Sequence, residues 1–307
     1  MPKTVLAGLR KYPVRISAVS AMLDSGGSAG RERREYRTKI SFGDFRRAAL
    51  ALAGEKEKNK ERFAYRYETG PLTGHVVANL YCSALVNGDN NIEKSVNELI
   101  EDIKEDLSIP PEYKLIPATL DNSHLAAELE NGKIVLGEGN IDVPSHDGKL
   151  KIKKVFLVPR AKAYPGALKE IKKADLIVIG PGDLYSSLSQ VLLTEGMAGS
   201  IKNSKAKKVY ICNAMTKHGE TNGFSVADFA REVEEMLGGD LDYVIYNTSK
   251  PSQEVLRKYK RKHKELVSPV EINKGLQKGK FIGRSLLKKD TLEYDPRKVS
   301  QIITSLI

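Results

Sequence analysis

The fold of this 307-residue chain is indicated most clearly by one stretch, Ala174-Asp-Leu-Ile-Val-Ile-Gly-Pro-Gly-Asp-Leu-Tyr-Ser-Ser-Leu-Ser-Gln190. Leu176 to Ile179 form an apolar, β-branched run too short for a helix, which predicts a buried strand. Gly180-Pro181-Gly182 ends the strand, because glycine permits positive φ and proline stiffens a turn. Asp183 is the expected N-cap of a following helix. The apolar residues of that helix recur at helical spacing: Leu184, Leu188, Val191 and Leu192.

A strand, a glycine-rich turn and a helix N-terminus together form the usual anion pocket of open α/β sheets. The free N–H groups of the turn would face a phosphate, and Ser186 or Ser187 would add a hydroxyl donor. The alternative is an ordinary strand-to-helix turn that binds nothing, since a lone Gly-x-Gly is weak evidence. Both interpretations stay open on this stretch alone.

Composition and charge are typical of a soluble globular protein. Hydrophobic residues make up 40% and charged residues 29% of the chain. No apolar run approaches a membrane span and no signal peptide opens the sequence, so we expect a cytoplasmic protein without a membrane partner. Cys82 and Cys212 lie in apolar segments, which favours reduced core thiols. The net charge of +11 rests largely on scattered lysines without an aromatic platform, which makes nucleic acid an unlikely partner.

Outward from the opening stretch, strands alternate with helices. Further strands are predicted over 14–22, 114–119, 125–129, 133–136, 152–158, 207–212 and 243–246. Helices are predicted over 2–11, 45–53, 92–107, 165–173, 225–237 and 253–259, and a further helix begins at 72–75. Asn131-Gly132 is a strong hairpin signal. The charge cluster 54–62 predicts an exposed turn or a frayed helix end. The alternation predicts one α/β domain, three-layered and Rossmann-like, with a mainly parallel sheet and the β-hairpin as a side insertion.

Four predicted strands, ending at 22, 179, 212 and 246, each lead into a Gly- or Asn-rich polar loop. Ligands of such sheets bind beyond the carboxyl ends of the strands, so we expect these loops to gather at one edge. The segment Asp24-Ser-Gly-Gly-Ser-Ala-Gly-Arg31 suits either a backbone nest for an anion with a guanidinium partner or a flexible loop. In a flexible loop, Arg31, Arg33 and Arg34 would simply be charged side chains exposed to solvent.

Two further loops supply candidate ligand contacts. Gly43-Asp44-Phe45-Arg46 opens a helix with Asp44 in the N-cap position. If Asp24 and Asp44 converge, they would hold Mg²⁺ through water. His75, near the start of its helix, would donate to a ligand phosphate, although a lone histidine is more often a structural group.

Three separated motifs resemble the CofD/YvcK superfamily: Leu72-Thr-Gly-His75 with Asn79-Leu80, Ala174 to Leu188, and Val209-Tyr-Ile-Cys-Asn213 with Thr216 and Gly219-Glu-Thr221. The loops at 26–31 and 43–46 resemble its gluconeogenesis-factor (YvcK-like) branch. The resemblance covers about residues 4–260 and implies a single family domain over 1–307. It further implies binding of UDP-sugars such as UDP-N-acetylglucosamine and regulation of cell shape and envelope synthesis during gluconeogenic growth.

The sequence departs from the family pattern at its start. Members begin with a strand and a Gly-Gly-Gly-Thr-Gly phosphate loop, whereas this sequence opens on the helix that follows. We therefore expect it to be an N-terminally short form of a longer protein. The family's paired Asp-Asp is Asp24-Ser25 here, which leaves Asp24 as the candidate metal ligand. The residue after Arg46 is Arg47 where the family has Asn.

Three functions remain open. The first is a nucleotide-sugar-binding regulatory protein without catalytic activity, which would also contact a protein partner or form a homo-oligomer. The alternative is a CofD-like 2-phospho-L-lactate transferase, which moves a phospho-lactyl group from a guanosine diphosphate donor and requires Mg²⁺. The third is a degenerate member that binds a partner protein and no nucleotide. No catalytic residue is predicted.

The candidate ligand-binding residues come from these loops and motifs. Arg31 and Arg46 would offset phosphate charge, the segment 180–187 would hold phosphate or ribose, and Asn213 and Thr216 would hydrogen-bond base or sugar. The full set is Asp24, Gly26, Gly27, Ser28, Arg31, Gly43, Asp44, Arg46, His75, Asn79, Gly180, Gly182, Asp183, Tyr185, Ser186, Ser187, Asn213, Thr216, Glu220 and Thr221.

Overall fold

The computed structural model of the chain describes residues 2–54, 58–87, 91–263 and 265–307. The helices are α1 (Pro2–Leu9), α2 (Gly27–Glu35), α3 (Gly43–Leu52), α4 (Asn59–Ala64), α5 (Val77–Asn87), α6 (Ile92–Asp106), α7 (Glu138–Asp142), α8 (Pro165–Lys173), a π-helix (Leu184–Leu188), α9 (Ser189–Leu192), α10 (Met197–Asn203), α11 (Val226–Leu237), α12 (Gln253–Lys262) and α13 (Pro296–Thr304). The strands are β1 (Ser17–Ser20), β2 (Lys114–Pro117), β3 (His124–Leu129), β4 (Ile134–Leu136), β5 (Ile152–Val158), β6 (Leu176–Ile179), β7 (Lys207–Ile211), β8 (Met215–Lys217), β9 (Tyr243–Asn247), β10 (Leu266–Pro269) and β11 (Phe281–Arg284).

The largest sheet has the strand order β11-β9-β7-β6, and all its neighbouring pairs are parallel. The predicted α/β fold with a mainly parallel sheet is therefore confirmed. β6 has the predicted bounds, but it is less buried than expected: only Ile179 is buried, whereas Leu176, Ile177 and Val178 are half-buried. The reason is that β6 pairs with β7 alone within the described residues.

Three smaller strand groups accompany this sheet in the described residues, one of them the antiparallel pair β10 and β8. β1 and β2 form a separate parallel pair. The Asn131-Gly132 hairpin is confirmed as β3 and β4, and β5 joins it antiparallel to give the order β4-β3-β5. The strand predicted over 152–158 therefore belongs to the inserted hairpin and not to the parallel sheet.

Several predicted boundaries are wrong near the N-terminus. The strand expected over 14–22 is confined to β1, and α2 already begins at Gly27, where a loop was expected up to Arg31. Arg33 is not solvated: it is buried and donates to Leu23 O, Asn122 Oδ1 and Ser123 O. In the charge cluster 54–62, α4 begins at Asn59, and residues 55–57 lie outside the described residues.

The apolar core forms two clusters, which lie on the two sides of the parallel sheet. One includes Val5, Phe45 and Val209, and the other includes Leu125, Tyr210 and Phe229. Cys82 and Cys212 are buried and free, as predicted, and burial raises the pKa of both thiols. Among the described helices, none combines the length and apolar character needed to cross a membrane.

Candidate functional site

The turn after β6 leads into a π-helix whose N-terminus is already occupied by a carboxylate. Tyr185 N and Ser186 N donate to Glu220 Oε2 at 2.9 and 3.0 Å, and Ser186 Oγ donates to Glu220 Oε1 at 2.7 Å. In this structure Glu220 takes up the donors that were expected to face a ligand phosphate, and a phosphate contact of Ser186 stays a prediction. Asp183 is the N-cap residue, but its side chain makes no cap hydrogen bond, because it pairs with Lys217.

Lys217 lies at the centre of a carboxylate cluster. Its Nζ contacts Glu220 Oε1 and Asp183 Oδ2, each at 2.9 Å, and also Asp142 Oδ1. Burial opposes the charge, but the carboxylates of Glu220, Asp183 and Asp142 outweigh it and raise the pKa of Lys217. Burial also raises the pKa of Glu220, against the attraction of Lys217. Because three donors and an ammonium contact this carboxylate, we take the pair as ionised. We call Asp142, Asp183, Lys217 and Glu220 the lysine cluster.

The short helix α7 connects the lysine cluster to the loop after β1. Glu138 and Asp142 are four residues apart and share one face of α7. Glu138 Oε2 accepts from Ser25 N and Gly26 N at 3.0 Å each, and its carboxyl group hydrogen-bonds to that of Asp24. Burial and the Asp24 carboxylate raise the pKa of Glu138 to about 9. Glu138 therefore holds its proton at neutral pH.

Asp24 also approaches the beginning of α3. A Cβ atom at Gly43 would lie 2.8 Å from Asp24 Oδ2, so this approach requires glycine. The N-cap residue of α3 is Phe42, whereas Asp44 lies in the first turn and accepts from Arg47. The prediction of Asp44 as N-cap is therefore wrong. Burial alone would lower the pKa of Arg47, but the nearby carboxylates of Asp44, Asp24 and Glu138 raise it.

Arg46, the residue before Arg47 on α3, lies within electrostatic reach of Arg47 and Arg66. Burial, together with the charges of Arg47 and Arg66, lowers the pKa of Arg46. Arg46 Nε is buried and has no hydrogen-bond partner among the described residues. Arg66 donates to Gly74 O in the segment that leads to His75. We call Arg46, Arg47 and Arg66 the arginine cluster. A half-buried guanidinium close to like charges favours an anionic ligand.

His75 belongs to a buried network rather than to an open pocket. The side chain is fully buried, and its Nδ1 lies 3.4 Å from both Glu32 Oε1 and Ser28 Oγ. Ser28 Oγ donates to Glu32 Oε1 at 2.7 Å, and Ser83 Oγ donates to Glu32 Oε2 at 3.0 Å. The structure thus favours the structural interpretation of His75 over donation to a phosphate.

The candidate ligand residues fall into two groups by exposure. Several are buried and bonded within the protein: Tyr185 OH donates to Glu232, Thr216 Oγ1 bonds Ser268, and Thr221 Oγ1 accepts from Lys217 N. The buried candidates are Ser28, Gly43, His75, Asn79, Gly182, Tyr185, Ser186, Thr216, Glu220 and Thr221, and the accessible or half-buried ones are Asp24, Gly26, Gly27, Arg31, Asp44, Arg46, Gly180, Asp183, Ser187 and Asn213. A ligand role for the residues of either group stays a prediction.

A cavity of about 520 Å³ brings two of the predicted loops together. Asp44 and Arg47 line it from α3, and Gly180 to Asp183 with Ser187 line it from the turn after β6. The expected gathering of four loops is only partly right. The loop after β9 makes hydrogen bonds within the protein instead, because Asn247 Oδ1 accepts from Ser249 N and Leu286 N.

Sequence inspection missed Glu138, Asp142 and Lys217. Glu138 and Asp142 follow a strand in the Gly- and Asn-rich segment 137–142, at a spacing that places both on one helical face. That spacing was a usable signal. Lys217 lies within the motif between Thr216 and Gly219, and nothing in its sequence context shows that it would be buried among carboxylates.

The carboxylates do not fit a Mg²⁺ ion in this arrangement. Asp142, Asp183 and Glu220 each place an oxygen within 4.8 Å of the others, which suits a metal site, but the Lys217 ammonium contacts all three. Asp24, the predicted metal ligand, is bonded to Glu138 and lies within electrostatic reach of Arg47. Each carboxylate group is thus already faced by a cation of the chain.

Together, the parallel sheet and this loop edge correspond to a known protein family. The model of the family "2-phospho-L-lactate transferase CofD" matches residues 2–291, and the chain belongs to the CofD family. It is 37% identical to a protein of Thermotoga maritima named putative gluconeogenesis factor, over 86% of this chain and 81% of that protein. It is 32% identical to the gluconeogenesis factor of Bacillus subtilis, over 99% and 94% of the two chains.

A solved structure extends the likeness to the whole fold. The crystal structure of a protein from Bacillus halodurans superposes with a TM-score of 0.87 at 34% sequence identity. The superposition covers 99% of this chain and 96% of that one. The resemblance to the CofD family and its gluconeogenesis-factor branch is therefore confirmed.

Proposed function

We propose that the protein is a nucleotide-sugar-binding regulatory protein that takes a UDP-sugar such as UDP-N-acetylglucosamine. One observation carries the proposal: a guanidinium of the arginine cluster and a carboxylate of the lysine cluster line one cavity at the edge beyond β6. The arginine cluster lies on the α3 side, and Asp142 and Asp183, whose side chains are 36% and 32% exposed, lie on the π-helix side. Arg47 and Asp183 line the same cavity.

A nucleotide sugar matches both sides chemically. Its diphosphate is an anion that guanidinium groups bind through charge-assisted, often bidentate hydrogen bonds. Its sugar and ribose hydroxyls are donors that half-exposed carboxylates accept from. Because relatives of this chain are named gluconeogenesis factor, we include in the proposal that the ligand connects carbon metabolism to envelope synthesis and cell shape.

The alternative enzyme function makes a different demand on the site. A phospho-lactyl transferase has to stabilise a leaving diphosphate, and the alternative assigns this task to Mg²⁺. Here a chain cation faces each carboxylate group that would hold the metal. We therefore favour binding without turnover.

Calorimetric titration with UDP-N-acetylglucosamine tests the proposal. We expect one site per chain in the wild type, a weaker site in Arg46→Ala, and wild-type affinity in Arg297→Ala. Arg297 is a matched control because its side chain is 82% exposed on α13. Chromatography of the same mixture should show no released UDP. Catalytic release of UDP, or equal affinity of the wild type and Arg46→Ala, would contradict the proposal.

A further inference from the structure

We propose that the ammonium of Lys217 occupies the position of a divalent cation among Asp142, Asp183 and Glu220, so that the lysine cluster carries its own cation. The proposal concerns the same edge of the sheet as the proposed function. It needs no nucleotide, however, and it can fail while the proposed function holds.

The geometry of the three carboxylates is that of a cation site. One oxygen from each residue lies within 4.8 Å of the other two. An ammonium has three N–H donors and no acceptor, so three carboxylates around one Nζ match it one to one. The contacts to Asp183 and Glu220 are both 2.9 Å, and Asp142 supplies the third.

Burial shows that this lysine is fixed in place. Its side chain is only 7% exposed, and that of Glu220 is fully buried. Its backbone N–H donates to Thr221 Oγ1 at 2.9 Å, which holds the base of the side chain. Withdrawal of a buried ammonium would leave uncompensated carboxylates, which is strongly destabilising. A surface lysine in a chance ion pair has none of these properties.

Glu220 gives the arrangement its second function. Besides contacting Lys217, it satisfies Tyr185 N, Ser186 N and Ser186 Oγ at the start of the π-helix. The same carboxylate therefore holds both the ammonium and the turn after β6. A Mg²⁺ ion, which demands near-octahedral oxygen ligands and keeps several waters, would have to expel Lys217 from these contacts.

Removal of the ammonium should convert the cluster into a true metal site. Lys217→Met keeps the unbranched stem but removes the charge, which leaves three carboxylates facing one another. Like charges at this distance repel, and a divalent cation would relieve the repulsion. Asp183→Asn removes one ligand oxygen and one charge at a partly exposed position, so it serves as the matched control.

The test uses Mn²⁺ alone, followed by electron paramagnetic resonance and thermal melting. We expect neither the wild type nor Asp183→Asn to bind Mn²⁺ at the lysine cluster. Addition of Mn²⁺ should therefore shift the melting temperature of each protein by less than about 1 °C. We expect Lys217→Met to melt below the wild type and to recover about 4 °C at a hundredfold excess of Mn²⁺ over Kd. Lys217→Met/Asp183→Asn should lose that recovery, and Lys217→Arg should not respond to Mn²⁺.

Several results would overturn the proposal. One is a tight Mn²⁺ site in the wild type that Asp183→Asn abolishes, because the cation position would then be open to metal. Another is a Lys217→Met protein whose Mn²⁺ response equals that of the double variant. A third is Lys217→Met that stays unfolded with and without Mn²⁺, because the divalent ion would then fail to replace the ammonium.

Discussion

Arg46 and Arg47 are adjacent in the chain, yet they face opposite electrostatic surroundings. Arg47 pairs with Asp44 and lies near Asp24 and Glu138, so its charge is compensated. Arg46 is half-buried between the like charges of Arg47 and Arg66 and the carboxylate of Glu32, with Nε unpartnered in the described part of the chain. The unpartnered Nε leaves Arg46 with a donor for an anionic ligand.

Loss of Arg46 should therefore weaken diphosphate binding more than loss of Arg31. Arg46→Ala is expected to lose about 1.5–3 kcal/mol of binding free energy, the range for a hydrogen bond to a charged group. Arg31→Ala should lose less, because Arg31 already donates to Thr73 O and pairs with Glu35. Titration of both variants with UDP measures the difference, and a larger loss in Arg31→Ala would reverse our assignment.

Glu138 should make stability depend on pH. Its pKa is about 9 in the folded protein, well above about 4.3 when unfolded. The folded state therefore holds a proton that the unfolded state releases. The stabilisation is complete below the unfolded pKa and is lost as pH rises through the folded pKa, by at most about 1.4 kcal/mol per pH unit.

Glu138→Gln should remove this dependence, because the amide stays neutral. Urea unfolding at pH 5, 7 and 8.5 would show the wild type losing stability relative to Glu138→Gln as pH rises. Glu254→Gln, at an exposed position on α12, should follow the wild type. Parallel pH profiles for the wild type and Glu138→Gln would refute the proton on Glu138.

At the scale of elements, neighbouring serines on the π-helix have different tasks. Ser186 is fully buried and donates to Glu220, whereas Ser187 is half-buried and lines the cavity. Ser186→Ala is expected to destabilise the fold by about 1 kcal/mol, since the buried carboxylate loses one donor. Ser187→Ala should leave stability unchanged and lower UDP-sugar affinity. Urea unfolding and calorimetry separate the two effects, and an exchange of the two phenotypes would contradict the structure.

Local patterns predicted the elements whose signals are local. α8 and β6 have the predicted bounds, and the helix predicted from residue 225 is α11, where Ser225 forms a capping box with Asp228. The chain beyond residue 260, with β10, β11 and α13, was not predicted. Residue types identified the candidate residues on loops but not their partners, because those partners are distant in the sequence. One example is the hydrogen bond from Ser186 N to Glu220 Oε2, which joins residues 34 positions apart.

At the scale of the whole molecule, a cleft separates β1 from β6. Both strands line cavities of about 520 and 660 Å³, and each pairs on one side only within the described residues. Unpaired strand edges leave backbone donors and acceptors unsatisfied. The half-buried Leu176 and Val178 lie along the same cleft.

An extension of about ten residues before Pro2, a β-rich run and a Gly-rich turn, should therefore stabilise the protein. A strand between β1 and β6 would pair with both edges and cover α1, while the turn would add N–H donors for phosphate. We expect the melting temperature to rise by at least about 3 °C, or roughly 2 kcal/mol, and UDP-sugar affinity to increase. Equal melting temperatures and affinities of the two forms would show that such a strand is not needed.

The central claim is that the edge beyond β6 binds a nucleotide sugar with its diphosphate on the arginine side. A crystal structure of the protein with UDP-N-acetylglucosamine tests it most directly. The claim predicts phosphate oxygens within hydrogen-bond distance of Arg46 or Arg47 and sugar or ribose hydroxyls at Asp142 or Asp183. A ligand bound elsewhere on the molecule, or a diphosphate seated among the carboxylates of the lysine cluster, would contradict it.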